Sequence, residues 1–258
     1  MDGPPADVAS GVDVEAVLLD VDGTLVDSTG AHARAWSDAF RETGREIGPE
    51  AVRALVGMGS DKLLPKLTGI DAESDEGKRL IARRMEIFST EYLPGIQPFD
   101  RARELVERLR AAGLRTVVAT SANDDELRGL MQVLGTEWLL EDATNSSDAD
   151  RSKPDPDIVM AAVDKTGVGA AHCVMIGDTP YDVEAATRAG VRIIGVRCGG
   201  WGDESLRGAI EIYDDPADLL GRSERSVLAE ALRPLGGARG AKEGARARAA
   251  SAERGVNE

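Results

Sequence analysis

The stretch AVLLDVDGT, residues 16–24, decides the fold that this sequence predicts. Its first part, Ala16–Asp20, is an apolar run that is typical of a strand buried on both faces of a parallel sheet. Asp20 ends this strand, Asp22 lies two residues further on, and Gly23 lets the chain turn sharply. Ligands of open α/β sheets bind beyond the carboxyl ends of the strands, so we expect both carboxylates in that crevice.

Further apolar runs predict the remaining strands, and helical patterns alternate with them. The predicted strands cover residues 115–120, 138–141, 173–177 and 192–196, with a sixth at 210–213. The segment 99–112 repeats apolar residues at i, i+3, i+4 and i+7, the pattern of an amphipathic helix. Similar helical segments cover residues 126–134, 158–165 and 182–189. Strands that alternate with helices predict an α/β fold with a doubly wound, Rossmann-like parallel sheet.

The interval between the first two predicted strands is too long for a simple crossover. It spans about 95 residues, whereas a βαβ crossover needs about a dozen. Most of it has helical patterns, at residues 30–43, 50–56, 61–67 and 76–92. We therefore predict an α/β core of residues 15–28 and 95–221, with an inserted α-helical cap of residues 29–94. Residues 1–14 are expected to form a flexible N-terminal extension, and residues 236–258 a disordered tail.

Composition and charge exclude several classes of function. The 258 residues carry a net charge of −15, which disfavours binding to nucleic acid or to anionic membranes. No apolar run reaches the ~18–20 residues of a membrane span, and the N-terminus lacks the features of a secretory signal, so we expect a cytoplasmic protein. Cys173 and Cys198 are then expected to be reduced thiols. The sequence leaves open whether the protein is a monomer or a homodimer.

The Asp20–Asp22 pair indicates a metal-dependent reaction. Two carboxylates this close repel each other unless a cation or a shared proton intervenes. Mg²⁺ prefers hard oxygen ligands, and with one Asp20 oxygen on the metal the other is free to attack phosphorus. Asp22 can then protonate a leaving alcohol and deprotonate water. The alternative is an acidic turn that only caps the following helix.

Three further motifs follow other predicted strands or precede a helix. Thr120 and Ser121 end the second strand, where a hydroxyl can donate to a phosphoryl oxygen or serve as a helix cap. Lys153 is stiffened by Pro154 and Pro156, and can neutralise a phosphoryl group or lie on the surface.

Asp178 ends the fourth predicted strand and is expected to complete the metal site. Asp182 faces the same side of the next helical turn, where it can bind the metal through water or orient Asp178. The alternative is a pair of acids favoured by the helix dipole. Acids, hydroxyls and a lysine at the same edge of one sheet are hard to explain as caps alone.

These motifs resemble those of the haloacid dehalogenase-like superfamily in its phosphatase branch. The resemblance rests on DVDGT (20–24), AT (119–120), KPDP (153–156) and GDTPYD (177–182), and covers about residues 15–220. It implies that Asp20 is the nucleophile and that Asp22 is the acid–base. It also implies that Asp20, the backbone carbonyl of Asp22 and Asp178 bind Mg²⁺, with Thr120 and Lys153 on the phosphate. We add Gly23 and Ser121 as candidate phosphate-binding residues and Asp182 as a candidate indirect metal ligand.

The segment after Asp27-Ser28 is similar to the start of the β-phosphoglucomutase and phosphoglycolate phosphatase caps. His32 and Trp36 lie at i and i+4 on one helix face, where they either contact substrate or pack inside the cap. The mutases carry an arginine in the segment that begins here at Gly57, but this chain has Ser60 at about that place. Lys62 is a candidate substitute for it.

The sequence therefore predicts a magnesium-dependent phosphatase that hydrolyses a small phosphate monoester through an aspartyl phosphate. A sugar phosphate or a phosphoglycolate-like compound is the expected substrate. A phosphosugar mutase or phosphotransferase that uses the same intermediate is the alternative. A non-catalytic regulatory protein of the same fold is disfavoured, since Asp20, Asp22, Lys153 and Asp178 are all present.

Overall fold

The computed structural model describes residues 13–233. Residues 1–12 and 234–258, which contain most of the predicted extension and the whole predicted tail, lie outside the described residues. A six-stranded parallel sheet forms the core, with the strands in the order β3-β2-β1-β4-β5-β6. The strands are β1 (Ala16–Leu19), β2 (Arg115–Ala119), β3 (Ala143–Thr144), β4 (Cys173–Gly177), β5 (Arg192–Val196) and β6 (Glu211–Tyr213). The prediction of a doubly wound parallel sheet is confirmed.

Helices cover both faces of this sheet, and side chains that alternate along each strand contact them. In β1, Val17 and Leu19 belong to one buried apolar cluster, whereas Ala16 and Leu18 belong to the other. The core helices are α5 (Ala102–Ala111), α6 (Asp124–Leu134), α7 (Asp157–Thr166), α8 (Pro180–Arg188) and α9 (Pro216–Gly221). They follow four cap helices, α1 (Thr29–Glu42), α2 (Pro49–Arg53), α3 (Ser60–Thr68) and α4 (Asp75–Ile87). All four of these helices lie between β1 and β2.

The predicted third strand at residues 138–141 is wrong. Those residues belong to a 3₁₀ segment, Glu137–Asp142, and the strand is the two-residue β3 that follows it. Only Leu139 of the 3₁₀ segment is fully buried, so Trp138 and Leu140 cover the edge of the core instead of extending the sheet. A short apolar run does not by itself distinguish a strand from a helical turn.

The cap has an apolar core of its own and joins the sheet through two adjacent linkers. Trp36 and Phe40 of α1 pack with Leu64 of α3 and Leu80 of α4, and all four are buried. The backbone N–H of Asp27 donates to the Gln97 carbonyl at 3.0 Å, so the outgoing and returning linkers run side by side. After α4 the chain continues into a π-helical turn at Phe88–Tyr92 before it returns to the core. Across residues 13–233, no helix has both the length and the apolar character that crossing a bilayer requires.

Candidate active site

The acids and the lysine predicted for the site meet at the carboxyl edge of the sheet. Asp20 and Asp178 follow the neighbouring strands β1 and β4, and Thr120 follows β2 on the other side of β1. Lys153 reaches the same edge from the loop before α7. Asp20, Thr120, Lys153 and Asp178 are all at least nine-tenths buried.

A hydrogen-bond donor lies beside each carboxylate oxygen of Asp20. Lys153 Nζ donates to Asp20 Oδ1 at 2.6 Å, and Thr24 Oγ1 lies 3.0 Å from Asp20 Oδ2. Burial raises the pKa of Asp20 to about 7, although Lys153 opposes the shift. The carboxylate is therefore fixed in orientation, and a further positive charge beside it would stabilise the ionised form.

Lys153 lies between two carboxylates in the interior. Its Nζ is 2.7 Å from Asp182 Oδ1 as well as 2.6 Å from Asp20 Oδ1, and its side chain is 1% exposed. Burial opposes the charged form, but Asp182 and Asp20 together raise the pKa of Lys153 above its ordinary value. Lys153 is thus a fixed cation beside the proposed nucleophile, where the sequence predicted one.

Asp182 lies in the first turn of α8, where it both completes the helix cap and contacts Lys153. Its Oδ2 accepts from the backbone N–H and from Oγ1 of Thr179, at 3.0 and 2.6 Å, which completes a capping box. This leaves Oδ1 for Lys153. A Cβ on Gly177 would lie 2.8 Å from Asp182, so the strand end needs glycine to let the carboxylate approach.

Asp178 has one carboxylate oxygen without a hydrogen-bond partner. Its Oδ1 lies 2.9 Å from Thr24 Oγ1, whose one hydrogen is shared between this oxygen and Asp20 Oδ2. The buried Oδ2 has no partner among the described residues. Burial and the neighbouring Asp20 and Asp182 raise the pKa of Asp178 well above its ordinary value. Leaving a buried carboxylate oxygen unpaired is costly, so this atom is suited to contact a cation.

The donor set here fits a divalent cation. One ligand oxygen each from Asp20, Asp178 and Asp182 can be chosen so that all lie within 4.8 Å of one another. Three buried carboxylates are hard oxygen donors of the kind that Mg²⁺ and similar ions prefer. Backbone crowds them, since a Cβ on Gly23 or on Gly199 would lie 2.5 or 1.6 Å from Asp178 Oδ2.

Asp22 faces the cap, and its side chain is outside this carboxylate cluster. Its Oδ1 accepts from Ser28 Oγ at 2.5 Å and contacts His32 Nε2 at 2.7 Å. Although burial opposes the shift, His32 and Ser28 lower the pKa of Asp22. The structure thus places Asp20 beside Lys153 and Asp22 beside the cap.

His32 connects Asp22 to two residues that sequence reasoning did not select. Arg84 Nη2 lies 2.6 Å from His32 Nδ1, and Arg84 Nη1 donates to Glu126 Oε1. Because arginine can only donate, Nδ1 accepts, and Nε2 therefore carries the hydrogen that faces Asp22. Arg84 shares the buried face of α4 with Leu80 and Ile87. An arginine on the apolar face of a predicted helix was the sequence signal that could have identified Arg84 as a site residue.

The predicted phosphate-binding residues line or border the same space. Thr120 Oγ1 accepts from the Ala122 N–H at 3.1 Å in the turn before α6, and its own hydrogen is left to donate. The alternative of a helix cap is wrong, because Asn123 caps α6. Ser121 Oγ lies 3.4 Å from the Gly57 carbonyl of the cap. Gly23 turns the chain with a φ of 81°, as its position in the motif predicts.

Of the candidate substrate contacts in the cap, the structure brings two to the site and not the third. His32 and Trp36 line a small cavity of about 50 Å³ that also touches Asp20 and Asp22. Trp36 is at the same time part of the cap core, with its ring 5.3 Å from that of Phe40. Lys62 does not line this cavity, because its Nζ contacts the Ser152 carbonyl at 2.7 Å and the Asp155 carboxylate.

A larger cavity of about 460 Å³ lies near the linkers between core and cap. Arg34, Arg53 and Tyr92 line it, but Asp20, Asp22 and Asp178 do not. The smaller cavity is therefore the candidate active site, since Asp20, Asp22 and Thr120 line it.

Comparisons with known proteins agree with this geometry. Residues 14–190 match the family model for haloacid dehalogenase-like hydrolases. The chain is 30% identical over 219 residues to a phosphoglycolate phosphatase of Rhodospirillum rubrum, which covers 80% of this chain and 89% of the relative. It is 27% identical over 219 residues to an N-acetylmuramic acid 6-phosphate phosphatase of Pseudomonas aeruginosa, which covers 83% and 96%.

The fold agrees as well. A crystal structure of a hydrolase from Pseudomonas syringae superimposes with a TM-score of 0.75 at 29% identity, and covers 80% of this chain and 96% of that one. The expectation of a phosphoric monoester hydrolase with an α/β core is confirmed by these matches. The chain belongs to the haloacid dehalogenase-like hydrolase family.

Proposed function

We propose that this protein is a divalent-metal-dependent phosphatase, with Mg²⁺ as its ion, that hydrolyses a small phosphate monoester through a phosphoryl group on Asp20. The observation that carries the proposal is the cluster that Asp20 and Asp178, at the ends of the adjacent strands β1 and β4, form with Lys153 and Asp182. A carboxylate held between a lysine and a cation site is suited to nucleophilic attack on phosphorus.

Asp20, Asp178 and Asp182 are the side chains that would hold the cation, with Asp182 acting directly or through water. When bound, the ion would offset the charge of the acids and of the phosphoryl oxygens. Lys153 supplies a second fixed positive charge beside Asp20 at 2.6 Å. The buried Thr120 hydroxyl can donate to a phosphoryl oxygen at the same edge. The backbone N–H of Gly23 already donates to the Val26 carbonyl at 2.9 Å, so Gly23 contributes the turn and not a phosphate contact.

In the first step an Asp20 oxygen bonds to phosphorus, and the bond between phosphorus and the leaving oxygen breaks. Asp22 gives a proton to that oxygen, so an alcohol leaves. In the second step water attacks phosphorus, the bond to Asp20 breaks, and Asp22 takes a proton from the water. The pKa of Asp22 is lowered in the free protein, but an incoming phosphate anion raises the pKa of a nearby carboxylate and favours the protonated form that the first step needs.

His32 fixes this proton donor. Its Nε2–H faces Asp22 Oδ1 at 2.7 Å, and Phe88 stacks on its ring at a centroid distance of 4.0 Å. The ring is thus locked by packing and by Arg84, so Asp22 is oriented from the cap side. We propose His32 as a positioning residue, with Trp36 as a wall of the leaving-group space.

The proposal is tested with an aryl phosphate and Mg²⁺. We expect the wild-type protein to release inorganic phosphate, and Asp20→Asn to lose at least about a thousandfold in kcat because its amide cannot form the phosphoryl intermediate. Asp125→Asn, which removes an exposed acid of α6, is the matched control and should keep full activity. Undiminished activity of Asp20→Asn would disprove the assignment of the nucleophile.

The mutase alternative makes a different prediction. A mutase would move phosphate between two hydroxyls of one sugar without net release. No described residue supplies a free cation for a second phosphate in the cap part of the cavity, since Lys62 is paired with Asp155 and Arg84 with Glu126. We therefore favour hydrolysis.

A further inference from the structure

The wall of the active-site cavity opposite Asp20 and Asp22 is mostly apolar. Trp36, Val56, Met58 and Leu63 of the cap line it, and Ser60 and Arg84 add polar atoms. Among the described residues that line the cavity, Arg84 is the one lysine or arginine. Whether this cavity accepts a charged leaving group therefore depends on whether the positive charge of Arg84 is already paired.

Glu126 already neutralises the charge of Arg84. The two side chains form an ion pair from α4 of the cap to α6 of the core, and they are only 9% and 7% exposed. Arg84 also donates to His32 at 2.6 Å, and Asn123 Nδ2 donates to Glu126 at 2.9 Å, so both partners are fixed. Glu126 itself lines the cavity together with Asp20 and Asp22.

A second anionic group on the substrate would meet an unfavourable field in this cavity. It would have to share Arg84 with a buried carboxylate, in a space that two further aspartates line. Buried like charges are costly, because little solvent screens them. A neutral hydroxyl carries no charge and meets no such cost.

We infer that Glu126 makes this site select phosphate monoesters whose leaving group is a neutral, hydroxylated alcohol, and reject esters whose leaving group carries a carboxylate or a second phosphate. The inference rests on the phosphatase function proposed above and narrows its substrate class. It also excludes phosphoglycolate-like esters, whose leaving group carries a carboxylate, as the preferred substrates of this protein.

The test compares substrates that differ in one group. Glycerol 3-phosphate and 3-phosphoglycerate share a three-carbon leaving group that ends in a hydroxyl or a carboxylate. Sorbitol 6-phosphate and 6-phosphogluconate, two open six-carbon chains, form a second pair. With Mg²⁺ present, we expect kcat/KM of the wild-type protein to favour the neutral member of at least one pair by roughly tenfold or more, as one unpaired buried charge predicts. No preference in either pair, including equal absence of turnover, overturns the inference.

Glu126→Gln tests the residue itself. It keeps the size and one acceptor oxygen of the side chain, but it leaves the charge of Arg84 uncompensated. We expect the ratio of anionic to neutral kcat/KM to rise roughly tenfold in this variant. Asp125→Asn makes the same change of charge on the exposed side of α6 and should leave the ratio as in the wild-type protein. An unchanged ratio in Glu126→Gln overturns the role of Glu126.

An aryl phosphate distinguishes the two proposals. Wild-type hydrolysis of the aryl ester together with a preference for 3-phosphoglycerate over glycerol 3-phosphate overturns the substrate class and leaves the phosphatase function standing. No hydrolysis of the aryl ester or of any member of the two pairs overturns both.

Discussion

Lys153 Nζ lies 2.7 Å from Asp182 Oδ1 in a part of the core where both side chains are only 1% exposed. The contact is a close ion pair, and Asp182 Oδ1 accepts no hydrogen bond of regular geometry from the described residues. Asp182 thus helps to hold Lys153 next to Asp20. From the sequence, Asp182 could also have oriented Asp178, but the charged group it contacts is Lys153.

Asp182→Asn should therefore impair the reaction through Lys153. The amide can still accept hydrogen bonds from Thr179 in the capping box at the start of α8. It removes one of the two carboxylates that contact the Lys153 ammonium. We expect kcat on an aryl phosphate to fall roughly 10–100-fold, the usual cost of losing a residue that orients a catalytic group. Glu184→Gln, an exposed change on the same helix, is the control. Equal kcat values in Asp182→Asn and wild type would contradict this role.

Metal binding can be measured without substrate. Since Asp178 Oδ2 is buried and unpaired, a divalent cation should stabilise the folded protein. At 100 times Kd, Mg²⁺ adds about 2.7 kcal/mol, which corresponds to a rise in Tm of roughly 5–10 °C for a domain of this size. Asp178→Asn should abolish most of this rise, and calorimetry with and without Mg²⁺ measures it.

The same variant has an opposite effect in the metal-free protein. Burial and two neighbouring acids raise the pKa of Asp178, so its ionised form destabilises the metal-free fold. We expect Asp178→Asn to melt at the same temperature as metal-free wild type or higher. A clearly lower Tm would mean that Asp178 is held by partners other than a cation.

A surface carboxylate gives a prediction for the dependence of stability on pH. Arg101 donates hydrogen bonds to Glu104 and, although slight burial opposes it, lowers the pKa of Glu104 to about 2 with the help of Arg108. A depressed pKa in the fold means that the stabilisation is complete above the ordinary value of 4.5 and is lost as pH falls towards 2. Glu104 is 39% exposed, so after screening the contribution is about 0.5 kcal/mol.

Glu104→Gln should thus lower the free energy of unfolding at pH 7 by that amount and change nothing at pH 2. Urea titrations of both proteins between pH 7 and pH 2 measure the difference. A difference that stays constant over this range would show that Glu104 acts through packing and not through its charge.

The core and its acids could be predicted because the deciding signals are local. The apolar run before Asp20 and the one before Asp178 mark buried parallel strands, and the carboxyl ends of such strands meet at one edge. Most of the chain between β1 and β2 has helical periodicity, which predicted the cap helices. The two-residue β3 was missed because its strand character comes only from pairing with β2.

The cap side of the site could not be predicted, because it depends on how two separately folded parts meet. Arg84 and Glu126 are 42 positions apart, and nothing in the local sequence of either indicates that they pair. Lys62 was expected to contact the substrate on grounds of its position in the chain. Its pairing with Asp155 depends on where α3 contacts the loop that carries Lys153.

That contact leads to a prediction about the closure of the cap. Lys62 contacts the Ser152 carbonyl and Asp155, and Asp61 accepts from Ser152 Oγ at 2.5 Å. The start of α3 therefore binds the chain on both sides of Lys153. Lys62→Met removes the pair with Asp155 and should favour cap positions that are more open. Since Lys62 and Asp155 are partly exposed, we expect a loss of about 1 kcal/mol, seen as a KM roughly fivefold higher.

The value of kcat distinguishes a loosened cap from a displaced lysine. If the contact only holds the cap closed, Lys62→Met raises KM and leaves kcat nearly unchanged, because Lys153 is still fixed by Asp20 and Asp182. Lys66→Met, an exposed change on α3, should alter neither constant. A fall in kcat with KM unchanged would show instead that the cap positions Lys153 itself, through the loop from Ser152 to Asp155.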